Sequence, residues 1–147
     1  MVRRFALFTA VLRDTRGAMV VEFALLAPAF LAMVFGVMYV GMGLQNYNAI
    51  RNLSADVARH AMVQQQNGNT LTTSQLSSYA ATRARGAPYM LNVGRLNATV
   101  TTPTTQRITG VREMQIRITY EVDNMLAFAG ISAPFITYTR PIFLKNS

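Results

Sequence analysis

A single carboxylate at the start of a long apolar segment is the feature that most constrains this chain. Glu22 immediately precedes 22 consecutive uncharged residues, Phe23 to Leu44 (44 − 23 + 1). At 1.5 Å per residue, a helix of this length spans the roughly 30 Å hydrocarbon core of a membrane. A charged side chain at the centre of such a helix costs about 2.5–3.5 kcal/mol on insertion scales, and less near the end. The sequence therefore predicts a membrane helix in which Glu22 has a function.

The charges that flank this segment predict its orientation. Five charged residues precede it with a net charge of +3, out of +8 for the chain: Arg3, Arg4, Arg13, Asp14 and Arg16. No basic side chain lies between Gly17 and Arg51. Since arginines that flank a membrane helix stay on the cytoplasmic side, we expect the N-terminus inside and the C-terminal part outside. The remaining +5 (8 − 3) is spread from Arg51 to Lys145, which is typical of a solvated surface rather than a nucleic-acid groove.

An ordinary secretory signal peptide is the alternative interpretation of this N-terminus. Its apolar core runs only about 7–15 residues before small residues at a cleavage site. The small residues Ala27-Pro28-Ala29 resemble such a site, but the apolar run continues beyond them to Leu44. The length of the run therefore favours a retained membrane helix.

The residues around Gly17 form a motif with a defined spacing. Gly17 ends the basic leader, Ala18 follows it, and Glu22 and Phe23 are the fifth and sixth residues after the glycine. This arrangement resembles type IV pilin precursors, in which a prepilin peptidase cuts after a glycine and glutamate is the fifth mature residue. The string from Arg16 to Pro28 more narrowly resembles the TadE family, pilin-like proteins of the tight-adherence (Tad) pilus system. The resemblance covers about residues 13–62.

The resemblance implies a role for each motif residue. Gly17 and Ala18 would flank the scissile bond, while Glu22 and Phe23 would be read during processing and assembly. Cleavage would also create an Ala18 amine that can pair with Glu22 of the same or a neighbouring subunit. The implied partners are a prepilin peptidase, other pilin-like subunits, the assembly platform and membrane lipids. Major pilins of this system are little more than the helix, so the longer chain implies a minor pilin or pseudopilin.

A stripe of small residues suggests how the helix packs against others. The spacing of four places these residues on one helix face: Ala24, Pro28, Ala32 and Gly36. Small residues at this spacing let helices approach closely in lipid. Pro28 also removes a backbone hydrogen bond, which predicts a kink. We therefore predict a packing seam along this face.

The pattern after Leu44 predicts a small α+β head. Apolar residues recur every three or four positions from Tyr47 to Ala61, which predicts an amphipathic continuation of the helix that ends at the turn Asn67–Asn69. A capping box at Thr72–Gln75 predicts a second helix to about Arg85. Period-two alternation then predicts three strands, around Leu96–Val100, Met114–Val122 and Phe135–Lys145.

The predicted fold is α+β and pilin-like, with a long N-terminal helix covering one face of an antiparallel sheet. Pro141 in the third strand predicts an edge position or a bulge, because proline cannot donate to the ladder. The predicted segments are a leader (1–17), a membrane helix (18–44), its amphipathic continuation (45–66) and the head (67–147).

Composition argues against catalytic chemistry. The chain has no cysteine, which excludes thiolate metal sites, disulfides and cysteine nucleophiles. His60 is the only histidine, and the acidic residues Glu113, Glu121 and Asp123 do not have a catalytic spacing. We therefore expect no enzyme activity, no metal and no cofactor.

Two further functional interpretations stay open. One is an uncleaved single-pass membrane protein whose head binds a partner. The other is a pseudopilin of a secretion system, although those more often have phenylalanine directly after the glycine, where Ala18 stands here.

Overall fold

The computed structural model describes residues 15–125, 127, 130 and 132–145. Contacts divide the chain into two compact units, with the boundary between Met38 and Tyr39. Most of the predicted leader, including Arg3, Arg4 and Arg13, lies outside the described residues.

The first element is the helix α1, Thr15–Gln66, with 52 residues. The sequence predicted a helix from about Ala18, and the helical backbone also covers the three described residues before it, Thr15 to Gly17. Gly17 therefore lies inside the helix, a position that costs about 1 kcal/mol relative to alanine. Neither Thr15 nor Arg16 interrupts a helix, so the helical backbone extends through the glycine. The helix also continues through Pro28. Because proline has no N–H, the helical hydrogen bond to the carbonyl of Ala24 is absent.

The first unit contains the apolar half of α1. Its large side chains are exposed on all sides; for example, Phe23 is 72% exposed and Leu25 is 74% exposed. Within the described residues, α1 is the one helix long and apolar enough to cross a membrane. A helix that is apolar all round needs an apolar environment, so α1 is the candidate membrane anchor.

The second unit contains the amphipathic half of α1. The predicted stripe is buried at Ile50, Leu53, Val57 and Ala61, whereas Arg51 and other polar residues of the opposite side are exposed. Fully burying an aliphatic side chain of this kind contributes roughly 1.5–3 kcal/mol. The stripe therefore fixes which side of the helix faces the core.

The predicted turn ends α1 with a glycine-based C-cap. Gly68 has a φ of 81°, a conformation that glycine adopts at little cost. The Asn69 N–H donates to Gln64 O (2.8 Å) and the Gly68 N–H donates to Gln65 O (3.1 Å). These two bonds form a Schellman motif, which satisfies carbonyls that the helix leaves without partners.

The second helix, α2, is Thr73–Arg85, as predicted. The Gln75 N–H donates to the Thr72 hydroxyl (3.2 Å), and the Thr72 N–H donates to the Gln75 side chain (2.8 Å), which completes the predicted capping box. Leu76, Ala80 and Ala84 are buried along one face. Gly86 is the C-cap residue that follows the last helical residue, Arg85.

The sheet has three antiparallel strands in the order β1-β2-β3. The strands are β1 (Leu96–Thr101), β2 (Val111–Glu121) and β3 (Phe135–Lys145), and a short 3-10 helix, Val93–Arg95, precedes β1. Pro141 lies opposite Gln115 on the edge strand β3, which confirms its predicted edge position.

One face of this sheet forms the core with the two helices. Met114, Ile116 and Ile118 of β2 are fully buried and belong to one cluster with the α1 stripe and the buried face of α2. Tyr47 of α1 contacts Tyr138 of β3 edge-to-face, with 6.0 Å between the ring centroids. The fold is therefore α+β, as the sequence predicted.

Candidate functional site

The predicted scissile residues lie in the first turns of α1. Gly17 and Ala18 are both helical, and a side chain at Gly17 would meet nothing within 4 Å. The backbone of Gly17 is thus sterically open, but cleavage between these residues would require the helix to unwind around Gly17. Glycine lowers the cost of unwinding, because it is one of the weakest helix formers.

Glu22 and Phe23 lie one turn further along the helix, and both side chains are exposed. Within the described part of the chain, no basic side chain forms an ion pair with Glu22. Ala18 and Glu22 are four residues apart and therefore lie on the same helix face. An amine created at Ala18 would lie one turn, about 6 Å, before Glu22 along α1. The Glu22 side chain leans toward the helix N-terminus and therefore toward that amine.

The start of the predicted seam lies on a different side of the helix from Glu22. Ala24, Pro28 and Ala32 are exposed, and Gly36 is half-buried. At about 100° per residue, Ala24 lies roughly 160° around the helix from Glu22. The carboxylate and the start of the seam therefore face different directions, so one neighbouring helix cannot contact both at that level.

The head holds a polar cluster that the sequence patterns did not predict. The Tyr89 hydroxyl donates to Asp56 Oδ2 at 2.7 Å, and Arg83 Nε lies 3.8 Å from the same oxygen. Burial raises the pKa of Tyr89 to about 12, and the hydrogen bond to Asp56 adds to the effect. These three residues link α1, α2 and the segment that follows α2 at the surface of the head.

His60 packs beside this cluster. Its ring stacks on Tyr79 with 3.9 Å between the centroids and 7° between the planes. The side chains around it form a shallow open groove, lined by Asp56, Arg59, His60, Val63, Tyr79 and Arg83. Among the described residues there is no group of three or more potential metal ligands.

The second unpredicted polar contact fixes the loop between β1 and β2. Glu113 is buried, and its carboxylate accepts hydrogen bonds from Arg107 Nε (2.8 Å), from a terminal guanidinium nitrogen of Arg107 and from the Arg107 N–H (3.3 Å). The Arg107 guanidinium also lies 5.3 Å from the ring centroid of Phe143. The hydrogen bond from Arg107 holds the pKa of Glu113 below its usual range.

We expect the stability of the head to depend on the Arg107–Glu113 pair in a pH-dependent way. Because the pKa of Glu113 is lower in the folded state, the pair stabilises the head above the unfolded pKa, about 4.3, and this contribution is lost as the pH falls. Arg107→Ala should therefore lower the melting temperature most at neutral pH. The difference from the unsubstituted chain should shrink below about pH 4.

The measurement is thermal unfolding of the full chain in detergent, followed between pH 3 and 7 in about one-unit steps. Arg117→Ala is the matched control, since Arg117 is exposed on the same strand as Glu113 and has no ion pair among the described residues. A difference between Arg107→Ala and the unsubstituted chain that stays constant with pH would contradict this account.

Sequence reasoning located the helix motif but missed both head contacts. Asp56 and Tyr89 are 33 residues apart, and no local pattern connects them. Arg107 and Glu113 are only six residues apart, but they pair because the β1–β2 loop folds back. The sequence signal for the contact of Glu113 was the alternation of side chains along β2. This alternation places Glu113 on the face of the sheet opposite to that of Met114.

The comparisons with known proteins concern the N-terminal helix. A family model described as TadE-like protein matches residues 17–59. No curated protein and no solved structure matches the chain. The matched range begins at Gly17, includes Glu22, Phe23 and the whole seam, and ends within the amphipathic half of α1. Residues 17–59 of this chain are therefore a TadE-like segment, as the motif around Gly17 and Glu22 predicted.

Proposed function

We propose that this protein is a minor pilin or pseudopilin of a Tad-type pilus. A prepilin peptidase cuts it after Gly17, and it is incorporated through α1. The observation that carries this proposal is Glu22, a lone carboxylate five residues after Gly17 in an exposed apolar helix that the TadE-like model matches. The role is structural, in pilus biogenesis and adhesion.

The chemistry of cleavage explains why a carboxylate is kept at this depth. Hydrolysis of the Gly17–Ala18 bond removes the basic leader and leaves a positively charged amine at Ala18. That amine lies one helical turn before Glu22 on the same face and supplies the cation that a carboxylate in lipid needs. Before cleavage, no such partner exists near Glu22 within the described residues. Processing therefore converts an unpaired charge into one that can pair within or between subunits.

The seam supplies the second contact of the assembled helix. Ala24, Pro28, Ala32 and Gly36 allow close approach of a neighbouring apolar helix. Since Glu22 and Ala24 face different directions, the carboxylate and the start of the seam contact different neighbours. This arrangement suits a packed bundle of pilin-like subunits on an assembly platform in the cytoplasmic membrane.

One observation favours a second candidate, an uncleaved single-pass membrane protein with a partner-binding head. The helix α1 includes the proposed scissile bond. A peptidase site takes extended backbone, so a stable first turn would protect this bond. In that case the groove around His60 would be the surface for a partner.

Fractionation of cells tests the proposed function. We expect the chain in the sheared pilus fraction or bound to other pilin-like subunits when the prepilin peptidase is active. In cells that lack the peptidase, it should stay in the cytoplasmic membrane. A membrane-only distribution in both strains would support the uncleaved candidate and contradict the pilin role.

The topology of the chain provides a separate prediction. A reporter enzyme fused after Ser147 should be active outside the cytoplasmic membrane, because the leader arginines stay inside. Replacing Arg3, Arg4, Arg13 and Arg16 together should reduce this activity, whereas replacing four arginines of the head should not. Reporter activity in the cytoplasm with the unsubstituted leader would contradict the orientation and the assembly role that depends on it.

A further inference from the structure

The strand β3 lies at one edge of the sheet, and the register shows which of its backbone groups point away from β2. The Val122 N–H donates to Pro134 O at 3.1 Å, and these two residues continue the β2–β3 register. In an antiparallel ladder, bonded and non-bonded pairs alternate. Even-numbered residues of β3 therefore bond to β2, and odd-numbered residues point their N–H and C=O groups outward.

The second half of this edge is closed to another strand. Pro141 is an outward residue and has no N–H to donate. At the end of the strand, the outward carbonyl of Lys145 accepts a hydrogen bond from Gln65 Nε2 of α1 (3.2 Å). Natural proteins use proline and covering groups in this way to block unwanted strand pairing.

The first half of the edge is open. The outward N–H groups of Phe135, Thr137 and Thr139 have no partner among the described residues. The opposite edge of the sheet differs, because the outward Val100 N–H of β1 donates to the Ser77 hydroxyl of α2 (3.0 Å). Of the two edges of this sheet, the one at Phe135–Thr139 is therefore left to accept a further strand.

We propose that this edge pairs antiparallel with the same edge of a second copy of this chain. In this arrangement, Thr137 lies opposite Thr137 of the second copy. Phe135 of each copy then lies opposite Thr139 of the other. All three outward N–H groups of each copy then find carbonyl partners. Pro141 falls beyond the paired segment, opposite residue 133 of the second copy, so its missing N–H costs no bond.

The side chains along this edge suit a second copy. Residues 135–139 carry no charge, so the two-fold arrangement places no like charges opposite each other. In the same row of the joined sheet, Arg117 lies beside Thr139, and Glu121 of the second copy lies beside its Phe135. The two β3 strands separate these charges by three strand spacings, roughly 14 Å, and the charges are of opposite sign.

Apolar surface adds to the pairing. Phe135 is 68% exposed and would cover Thr139 of the second copy on the outer sheet face. Ile136 and Tyr138 are half-buried and would meet their counterparts on the core side. Two three-stranded sheets would then form one six-stranded sheet. This inference goes beyond the pilin role, since it needs neither cleavage nor a pilus.

Cysteine crosslinking of the full chain in native membranes tests the proposal, because the chain has no cysteine of its own. Directly bonded antiparallel residues have Cα atoms about 5.5 Å apart, within the 4.4–6.8 Å range of disulfides. Thr137→Cys should give a disulfide-linked dimer of this chain on mild oxidation. The matched control is Thr99→Cys, an exposed threonine on the outer face of β1, which should stay monomeric.

A second pair of variants tests the register. Phe135→Cys and Thr139→Cys should each crosslink poorly alone but efficiently when expressed together. Adding Thr137→Pro to both chains removes two intermolecular hydrogen bonds and no bond to β2, so the yield should fall roughly tenfold or more. Equal crosslinking of Thr137→Cys and Thr99→Cys, no dimer with Thr137→Cys, or a crosslink to a different protein would each overturn the proposal.

Discussion

Removing the charge of Glu22 should leave a chain that is inserted and cut but not assembled. Glu22→Ala relieves an insertion cost of up to about 2.5–3.5 kcal/mol, so its abundance in the membrane should equal or exceed that of the unsubstituted chain. The new Ala18 amine, however, loses its carboxylate partner. We therefore expect loss of the chain from pili and loss of co-purifying subunits, measured by fractionation and affinity purification.

Two further substitutions separate charge from shape at this position. Glu22→Gln keeps the shape and loses the charge, and it should fail in assembly as Glu22→Ala does. Glu22→Asp keeps the charge on a shorter side chain and should restore part of the assembly. Normal assembly of both Glu22→Ala and Glu22→Gln would show that the charge is not the reason for a glutamate at this position.

Replacing Gly17 should abolish processing. A side chain at Gly17 would have no other atom of this chain within 4 Å. Gly17→Arg should therefore not disturb the fold or the membrane insertion. The arginine would instead occupy the place where the peptidase must approach the backbone closely, and it also favours helix over extended chain. We expect only uncut precursor, visible as the larger of two bands on a gel.

Gly36→Ala is the control for this variant, because it changes a glycine of the same helix that lies away from the scissile bond. It should be cut normally, whatever its effect on packing along the seam. Efficient cleavage of Gly17→Arg at the same bond would contradict the assignment of Gly17 as the residue that the peptidase recognises.

The elements of the head could be predicted from sequence because each has a local signal. The capping box at Thr72 and Gln75 and the glycine turn at Gly68 involve residues only a few positions apart. The strands followed from alternation, and β3 matched its predicted bounds, Phe135–Lys145. Such signals are reliable because the periods of helix and strand differ.

The helical backbone at Gly17 and the polar contacts of the head could not be predicted in the same way. The helix includes Gly17 because a glycine weakens a helix without ending it. The contact between Asp56 and Tyr89 depends on how α1 and the segment after α2 pack, which no spacing along the chain encodes. The proposed role of Glu22, by contrast, rests on the sequence itself, because a lone charge at the start of a long apolar run is costly in a membrane.

The N-terminus of the protein in the cell tests the central claim most directly. The chain should be isolated from membranes of cells with a working prepilin peptidase and from cells without it, and its intact mass and N-terminal peptide determined. With the peptidase, we predict a chain of 130 residues (147 − 17) that begins at Ala18. Recovery of only the full-length chain from cells with the active peptidase would contradict the pilin role.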